Sequence, residues 1–221
     1  VQFFHKQLLP TGDVFDEARF IENGHVENNY FKFKGRSFFL TICEDIWAWP
    51  DKNGTSSYNM NPLQEIKIKK VDLVINISAS PWFVGKEKMR DRVTGNTAKR
   101  FQAPLLYTNL VGAQDEIIFD GESFVIDKKG KRLFQCNKFV EELNIFDLDT
   151  KEPWSRGLKD KPVEQLRKAL VLGLRDFCEK IGIEKMHLGL SGGIDSALVA
   201  CLAVDALGPS AVMTFALPGP H

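Results

Sequence analysis

Short apolar runs rich in β-branched and aromatic residues are the feature that most constrains the fold of this chain. They lie at residues 37–43, 71–77, 104–111 and 117–126, and their length and composition are typical of buried strands. Glycine accepts the positive φ that tight hairpin turns require, and glycine-containing turns occur between such runs at residues 34–36, 120–121 and 128–130. The pattern predicts a strand-rich layer with antiparallel edges.

A helix is predicted between the second and third of these strands. Residues 86–102 are charged on one side and carry Met89, Val93, Ala98 and Phe101 on the other, which suits a helix that covers a buried sheet. The first part of the chain is therefore expected to be α/β. Residues 151–161 contain Pro153, Gly157 and many charges, and they are predicted to link a domain at 1–150 to a second domain at 162–221.

The second part has the periodicity of a parallel α/β unit. Apolar residues at three- and four-residue spacing predict an amphipathic helix from Pro162 that ends near Gly182. A short strand at 186–190, a glycine loop, a helix that runs through Leu207 and a strand at 211–217 follow. This order indicates the start of a Rossmann-like parallel α/β domain.

Composition excludes several classes of function. Lysine plus arginine equals aspartate plus glutamate at 29 each, so no global field attracts nucleic acid or an anionic membrane. No apolar run approaches the length of a membrane span, and the four cysteines are scattered without metal-ligand spacing. We expect a cytoplasmic protein with free thiols and with no nucleic-acid or membrane partner. Both chain ends interrupt the pattern, which suggests a fragment.

The glycine loop is the clearest candidate for a binding site. Ser191, Gly192, Gly193, Ile194, Asp195 and Ser196 connect a strand directly to a helix, which gathers backbone N–H groups and a helix N-terminus around one point that favours an anion. The lysine of a Walker loop is absent, so the loop suits a pyrophosphate leaving group better than a γ-phosphate. Asp195 is a candidate ligand for Mg²⁺ on those phosphates. A bare Gly-Gly is more often only a tight turn, but six matching positions favour the phosphate loop.

The sequence from Gly189 to Ala200 resembles the pyrophosphate loop of the N-type ATP pyrophosphatases, and among them it is most similar to NAD synthetases. The resemblance implies that ATP binds at Gly189, Leu190, Ser191, Gly192, Gly193, Ile194, Asp195 and Ser196. It also implies that ATP, with Mg²⁺, adenylylates deamido-NAD and that ammonia then displaces AMP to give NAD.

Cys43 is the candidate nucleophile in the first part. It ends a predicted buried strand and precedes Glu44 and Asp45, and α/β folds commonly expose reactive groups at that end of a strand. A lone cysteine is more often a small buried apolar residue, and Cys136, Cys178 and Cys201 are given that interpretation. However, residues 42–47 resemble the nucleophile turn of the nitrilase superfamily, and residues 5–10 with 14–17 resemble its lysine segment. The resemblance implies that Lys6 and Cys43 are catalytic, with a general-base glutamate expected upstream of Val1.

Further segments at 76–81, 85–90, 107–116 and 119–124 are similar to the glutaminase part of glutamine-dependent NAD synthetases. By that resemblance Ser80 and Lys86 contact glutamine. Many relatives have a tyrosine six positions after the lysine, where this chain has Gly12, so Gly12 offers only its backbone to the substrate. Asp115, Glu116 and Asp120 are expected to be structural, with Asp120 in a hairpin turn.

Together these features predict an α/β chain in which part of a nitrilase-like α-β-β-α sandwich precedes the start of an ATP pyrophosphatase domain. The resemblance implies a homo-oligomeric ligase that uses glutamine, ATP and deamido-NAD. Two alternatives stay open: another ATP-dependent amidotransferase, and a catalytically inactive assembly or regulatory fragment of such an enzyme.

Overall fold

A computed structural model describes residues 1–12, 14–149 and 160–216. Its strands are β1 Thr11–Gly12, β2 Phe15–Asp16, β3 Tyr30–Phe33, β4 Arg36–Ile42, β5 Leu73–Ser78, β6 Leu105–Asn109, β7 Val111–Gln114, β8 Ile117–Asp120, β9 Phe124–Ile126, β10 Arg132–Gln135, β11 Met186–Leu190 and β12 Val212–Ala216. Its helices are α1 Pro62–Glu65, α2 Lys86–Phe101, α3 Pro162–Ile181 and α4 Ile194–Leu207. Residues 151–159 of the expected linker at 151–161 lie outside the described residues, and so does Leu217, the predicted end of the last strand.

A six-stranded sheet organises the first part, in the order β10-β9-β6-β5-β4-β3. The three central strands, β4, β5 and β6, are parallel, and the outer pairs are antiparallel. The hairpins turn at Gly35 and Gly130, whose φ angles are +77° and +88°, as glycine permits. The predicted layer with antiparallel edges is confirmed.

Helix α2 covers the sheet and closes its core. Val93, Ala98 and Phe101 of α2 are fully buried, and the Phe101 ring stacks on Phe39 of β4 with centroids 4.6 Å apart. Burial of such side chains stabilises the fold by roughly 1.5–3 kcal/mol each. The crossover from β5 through α2 to β6 therefore keeps the carboxyl ends of β4, β5 and β6 at one edge of the sheet.

The apolar run at 117–126 divides between two sheets, and the expectation of a hairpin turn at Asp120–Gly121 is wrong. Strand β8 pairs with β7 in a separate two-stranded sheet, whereas β9 joins the six-stranded sheet. Gly121 lies between them with a φ of +65°, and its missing side chain lets the backbone pass against Val111. Asp120 is fully buried and pairs with Arg90, which no hairpin turn would predict.

The second part follows its predicted elements closely. Helix α3 ends at Gly182, which adopts a φ of +73°, and β11 pairs with β12 in parallel register. Helix α3 packs on the β7–β8 hairpin, where the Asp176 carboxylate accepts a 2.8 Å hydrogen bond from the Ala113 N–H. No described helix is both long and apolar enough to cross a membrane.

Candidate active site

The candidate nucleophile lies at the first residue after β4. Cys43 has a φ of +42° and begins a short 3-10 helix, Cys43–Ile46. Because β4 and β5 are parallel neighbours, residues 78 and 79 at the end of β5 come beside the thiol. Burial raises the pKa of Cys43, and the Glu44 carboxylate raises it further, whereas Lys6 and hydrogen bonds from the Ala79 N–H and Ser78 lower it. The resting thiol is therefore protonated near neutral pH.

Asp45 fixes the lysine segment against the nucleophile turn. Its carboxylate is fully buried and accepts three backbone hydrogen bonds, from the N–H groups of Gln7, Leu8 and Ile42, at 2.9, 3.0 and 2.9 Å. One oxygen holds the two residues after Lys6 and the other holds the residue before Cys43. Two segments that are distant in sequence thus meet through one side chain. The sequence analysis assigned Asp45 no role.

Lys6 forms an ion pair with Glu17 at the edge of this site. Both side chains are mostly buried, with 17% and 26% of their surfaces exposed. The pair fixes the ammonium beside the thiol, and Lys6 is the largest favourable charge acting on Cys43. The sequence analysis gave Glu17 no role although it lies in the lysine segment. An acidic residue eleven positions after the lysine was the signal available.

A single pocket of about 970 Å³ collects the predicted residues of the first part. Lys6, Gly12, Cys43, Ser80 and Lys86 all line it, although they come from distant parts of the sequence. Its size falls in the range of small-molecule sites, which is roughly 300–1,000 Å³. The thiol and two ammonium groups therefore face one cavity.

The pocket also holds a carboxylate and an ammonium suited to a zwitterion. Lys86 lies 4.2 Å from the Trp47 ring centroid and 4.8 Å from that of Phe83, and burial, followed by Arg90, lowers its pKa. Burial raises the pKa of Glu44, and a 2.7 Å hydrogen bond from the Tyr58 hydroxyl opposes that shift. Neither Glu44 nor Tyr58 was singled out from sequence, and Tyr58 has no motif that would have found it.

The glycine loop lies in a different part of the structure. Gly192 has a φ of +82°, and the loop runs directly from β11 into α4. The hydroxyls of Ser191 and Ser196 lie 3.2 Å apart, and Ser196 donates to the Gly193 carbonyl at 3.0 Å. These contacts hold the loop open around the first turn of α4. All six residues of the loop are exposed apart from the half-buried Ser196.

The charges around the loop include one carboxylate, that of Asp195 in the first turn of α4. Among the described residues no group of three or more His, Cys, Asp and Glu side chains comes together as a metal site. A magnesium ion that arrives with a nucleotide takes most of its ligands from phosphate and water and needs only one or two carboxylates. The exposed Asp195 side chain fits that requirement.

The fold of the first part is that of the carbon–nitrogen hydrolases. A carbon–nitrogen hydrolase from Helicobacter pylori superposes with a TM-score of 0.50 over 62% of this chain and 48% of that one, at 20% identity. This similarity concerns the fold alone. It agrees with the predicted nitrilase-like sheet.

Comparison with proteins of similar sequence narrows the class of protein further. The NAD synthase family profile matches residues 166–221. A glutamine-dependent NAD(+) synthetase from Synechocystis is 43% identical over all of this chain and 40% of its own length. The structure of the glutamine-dependent NAD⁺ synthetase from Acinetobacter baumannii in complex with ADP superposes with a TM-score of 0.83 at 36% identity, over 97% of this chain and 39% of that one.

This chain is similar to the glutamine-dependent NAD⁺ synthetases over nearly all of its length. It spans about 40% of the length of the curated relatives that it matches.

Proposed function

We propose that the protein is a glutamine-dependent NAD⁺ synthetase, in which one site releases ammonia from glutamine and another uses ATP to activate deamido-NAD. The observation that supports this most directly is the pocket, because Cys43, Lys6 and Lys86 face one cavity. The phosphate loop of α4 supports the second half of the reaction. The relatives' name agrees with both halves.

In the proposed first reaction, the Cys43 thiolate attacks the side-chain amide carbon of glutamine. The oxyanion that forms is stabilised by the Lys6 ammonium and by backbone N–H groups of the turn that follows Cys43. The C–N bond then breaks, the leaving nitrogen takes up a proton and departs as ammonia, and a thioester of Cys43 remains. Water hydrolyses the thioester to glutamate and restores the thiol.

The cysteine needs a base, because its thiol is protonated at rest. A carboxylate takes the proton as the sulfur attacks and returns it to the leaving amine. By resemblance this base is a glutamate upstream of Val1, and Glu17 is the carboxylate that fixes Lys6 for its role at the oxyanion.

Recognition of glutamine is assigned to the charged and polar groups of the pocket wall. Lys86 pairs with the α-carboxylate, and Ser80 supplies hydrogen bonds beside it. Glu44 is the matching acceptor for the α-ammonium group. Gly12 contributes backbone only, because glycine has no side chain; the space that a Cβ would occupy there is open.

In the proposed second reaction, residues 189–196 hold the phosphates of ATP. The backbone N–H groups at the start of α4 and the hydroxyls of Ser191 and Ser196 bind the pyrophosphate, and Asp195 contributes one ligand to the Mg²⁺ that accompanies it. When bound, the ion would supply positive charge against the phosphates. Ammonia from the first site then displaces AMP.

The proposal divides the chain into a glutaminase part at 1–150 and a synthetase part at 162–221. Ammonia is protonated in water and then ceases to be a nucleophile, so its transfer between the sites must avoid solvent. Assembly as a homo-oligomer is part of the same proposal.

The test is NAD⁺ formation from deamido-NAD and ATP by the full-length protein, with glutamine or with ammonium chloride as the nitrogen source. Cys43→Ala is expected to abolish the glutamine-supported reaction and to keep the ammonia-supported one. Cys201→Ala is the matched control. Its thiol, which the sequence analysis expected to be buried, is exposed on α4 and does not line the pocket, so this variant is expected to keep both activities.

Other outcomes separate the alternatives. Full glutamine-supported activity in Cys43→Ala would refute the assignment of the nucleophile. Glutamine hydrolysis without NAD⁺ formation, with activity on a different carboxylate acceptor, would favour another amidotransferase. No hydrolysis and no synthesis by the full-length protein would favour an inactive assembly or regulatory role.

A further inference from the structure

A fully buried arginine lies directly behind the pocket wall. Arg90 and its partner Asp120 have no exposed side-chain surface, and the Arg90 guanidinium lies 2.8 Å from the Asp120 carboxylate. Burial of an ion pair costs more free energy in lost hydration than the attraction between the two charges returns, unless further hydrogen bonds satisfy the buried groups. Arg90 uses its other terminal nitrogen for one such bond, a 2.9 Å contact with the Ser80 carbonyl.

Ser80 is held from its other side as well. The Asn109 side-chain oxygen accepts a 2.8 Å hydrogen bond from the Ser80 N–H, and the Asn109 amide approaches Asp120 at 3.4 Å. Both main-chain groups of Ser80 are thus fixed by side chains that share Asp120. The two peptide units that flank the Ser80 Cα, one with the N–H and one with the carbonyl, therefore cannot rotate without breaking hydrogen bonds to this buried network.

This fixed backbone forms part of the pocket wall beside the thiol. Ala79 and Ser80 line the pocket together with Cys43, because they follow β5, which runs parallel to the strand that precedes Cys43. The Ala79 N–H also lowers the pKa of the thiol. Lys86, the other candidate glutamine contact, lies one helical turn before Arg90 on α2. Arg90 is therefore placed to set the position of Ser80 in the pocket wall, although Arg90 does not line the pocket itself.

We propose that Arg90 is a positioning residue for glutamine hydrolysis, which acts by fixing the backbone at Ser80, and with it the pocket wall beside Cys43, through the Ser80 carbonyl and Asp120. This inference rests on the proposed glutaminase activity for its kinetic consequences. Its effect on the thiol is measured by alkylation of Cys43, which does not require glutaminase activity.

The test uses the full-length protein with the double substitution Arg90→Met and Asp120→Asn, which removes both charges and leaves neither one unpaired. The loss of one well-placed hydrogen bond corresponds to about a tenfold effect, so the KM for glutamine is expected to rise by about tenfold with a smaller change in kcat. Alkylation of Cys43 by iodoacetamide at pH 8 is expected to slow by about threefold, as for one weakened hydrogen bond. Ammonia-supported synthesis is expected to stay unchanged.

Arg132→Met is the matched control. Arg132 belongs to the same network, 3.6 Å from Glu122, which in turn lies 3.6 Å from Arg90, but Arg132 makes no contact with Ser80. It is expected to keep the KM and the alkylation rate. Arg90→Lys serves if the double variant does not fold, because it keeps the charge opposite Asp120 yet cannot also hold the Ser80 carbonyl with a fork of donors.

Unchanged KM and unchanged alkylation in a folded double variant, or in Arg90→Lys, would overturn the proposal. Equal effects in Arg132→Met would also overturn it, since they would show a general loss of stability. If the protein has no glutaminase activity, the alkylation rate still decides whether Arg90 positions the peptide, so the two failures are distinguishable.

Discussion

Replacement of Asp45 by alanine is the sharpest test of how the candidate active-site pocket is assembled. The substitution removes the acceptor for three backbone N–H groups, those of Gln7, Leu8 and Ile42. Two of these belong to the segment that carries Lys6, and one precedes Cys43. Asp45→Ala is therefore expected to lower the stability of the protein and to misalign the lysine with the thiol.

The magnitude follows from the number of donors and their burial. Each orphaned buried donor costs about 1–3 kcal/mol. Burial raises the pKa of Asp45, which shows that the carboxylate itself is costly to bury, so its removal offsets part of the loss. A net decrease of about 3 kcal/mol in the free energy of unfolding is expected, at the low end of three such donors.

The assay is urea denaturation followed by tryptophan fluorescence, since Trp47 and Trp49 lie just after the turn. Asp127→Ala is the matched control. That carboxylate also accepts backbone N–H groups, from Lys129 and Lys131 at 2.8 Å each, but in an exposed hairpin turn where water replaces it. A decrease below about 1 kcal/mol is expected there. Equal decreases for the two variants would refute the reasoning, because burial would then have no influence on the cost.

Three further predictions concern single residues. Gly121→Ala is expected to destabilise the fold by about 2–4 kcal/mol, because φ is positive there and a Cβ would lie 2.5 Å from a Val111 methyl group. Gly12→Ala is the control: nothing lies within 4 Å of a Cβ at that position, so the melting temperature is expected to change little. Glu44→Gln is expected to speed iodoacetamide alkylation of Cys43 severalfold at pH 8, because the Glu44 charge raises the pKa of the thiol and its loss increases the thiolate fraction; slower alkylation in a folded variant would contradict this. Gly192→Ala forces a side chain into a φ of +82°, at a cost of about 1 kcal/mol, and is expected to weaken ATP binding in calorimetry while glutamine hydrolysis persists.

The sequence predicted the elements that depend on local pattern. The helix at 86–102, the helix from Pro162 to Gly182, the strand at 186–190 and the stop of α4 at Gly208 all follow from apolar spacing and from proline and glycine positions. These signals extend over only a few neighbouring residues, so the sequence of one protein is enough to detect them. The resemblance to glutamine-dependent NAD⁺ synthetases likewise rests on short contiguous motifs.

The break at Gly121 depended on non-local packing. Residues 117–126 have the composition of one strand, yet they divide between two sheets because Gly121 passes against Val111 and Asp120 is drawn into a buried pair with Arg90. Composition does not record which neighbour a backbone group will meet. The local pattern at 117–126 therefore predicted a hairpin turn that the structure does not form.

The candidate site shows the same division. The residue types of its pocket, such as Cys43, Lys6 and Ser80, could be picked out from short motifs in the sequence. Their position in one pocket could not be predicted that way. The parallel order of β4 and β5, the three hydrogen bonds to Asp45 and the contact of Arg90 with the Ser80 carbonyl bring them together, since each contact joins segments whose separation along the chain carries no local signal.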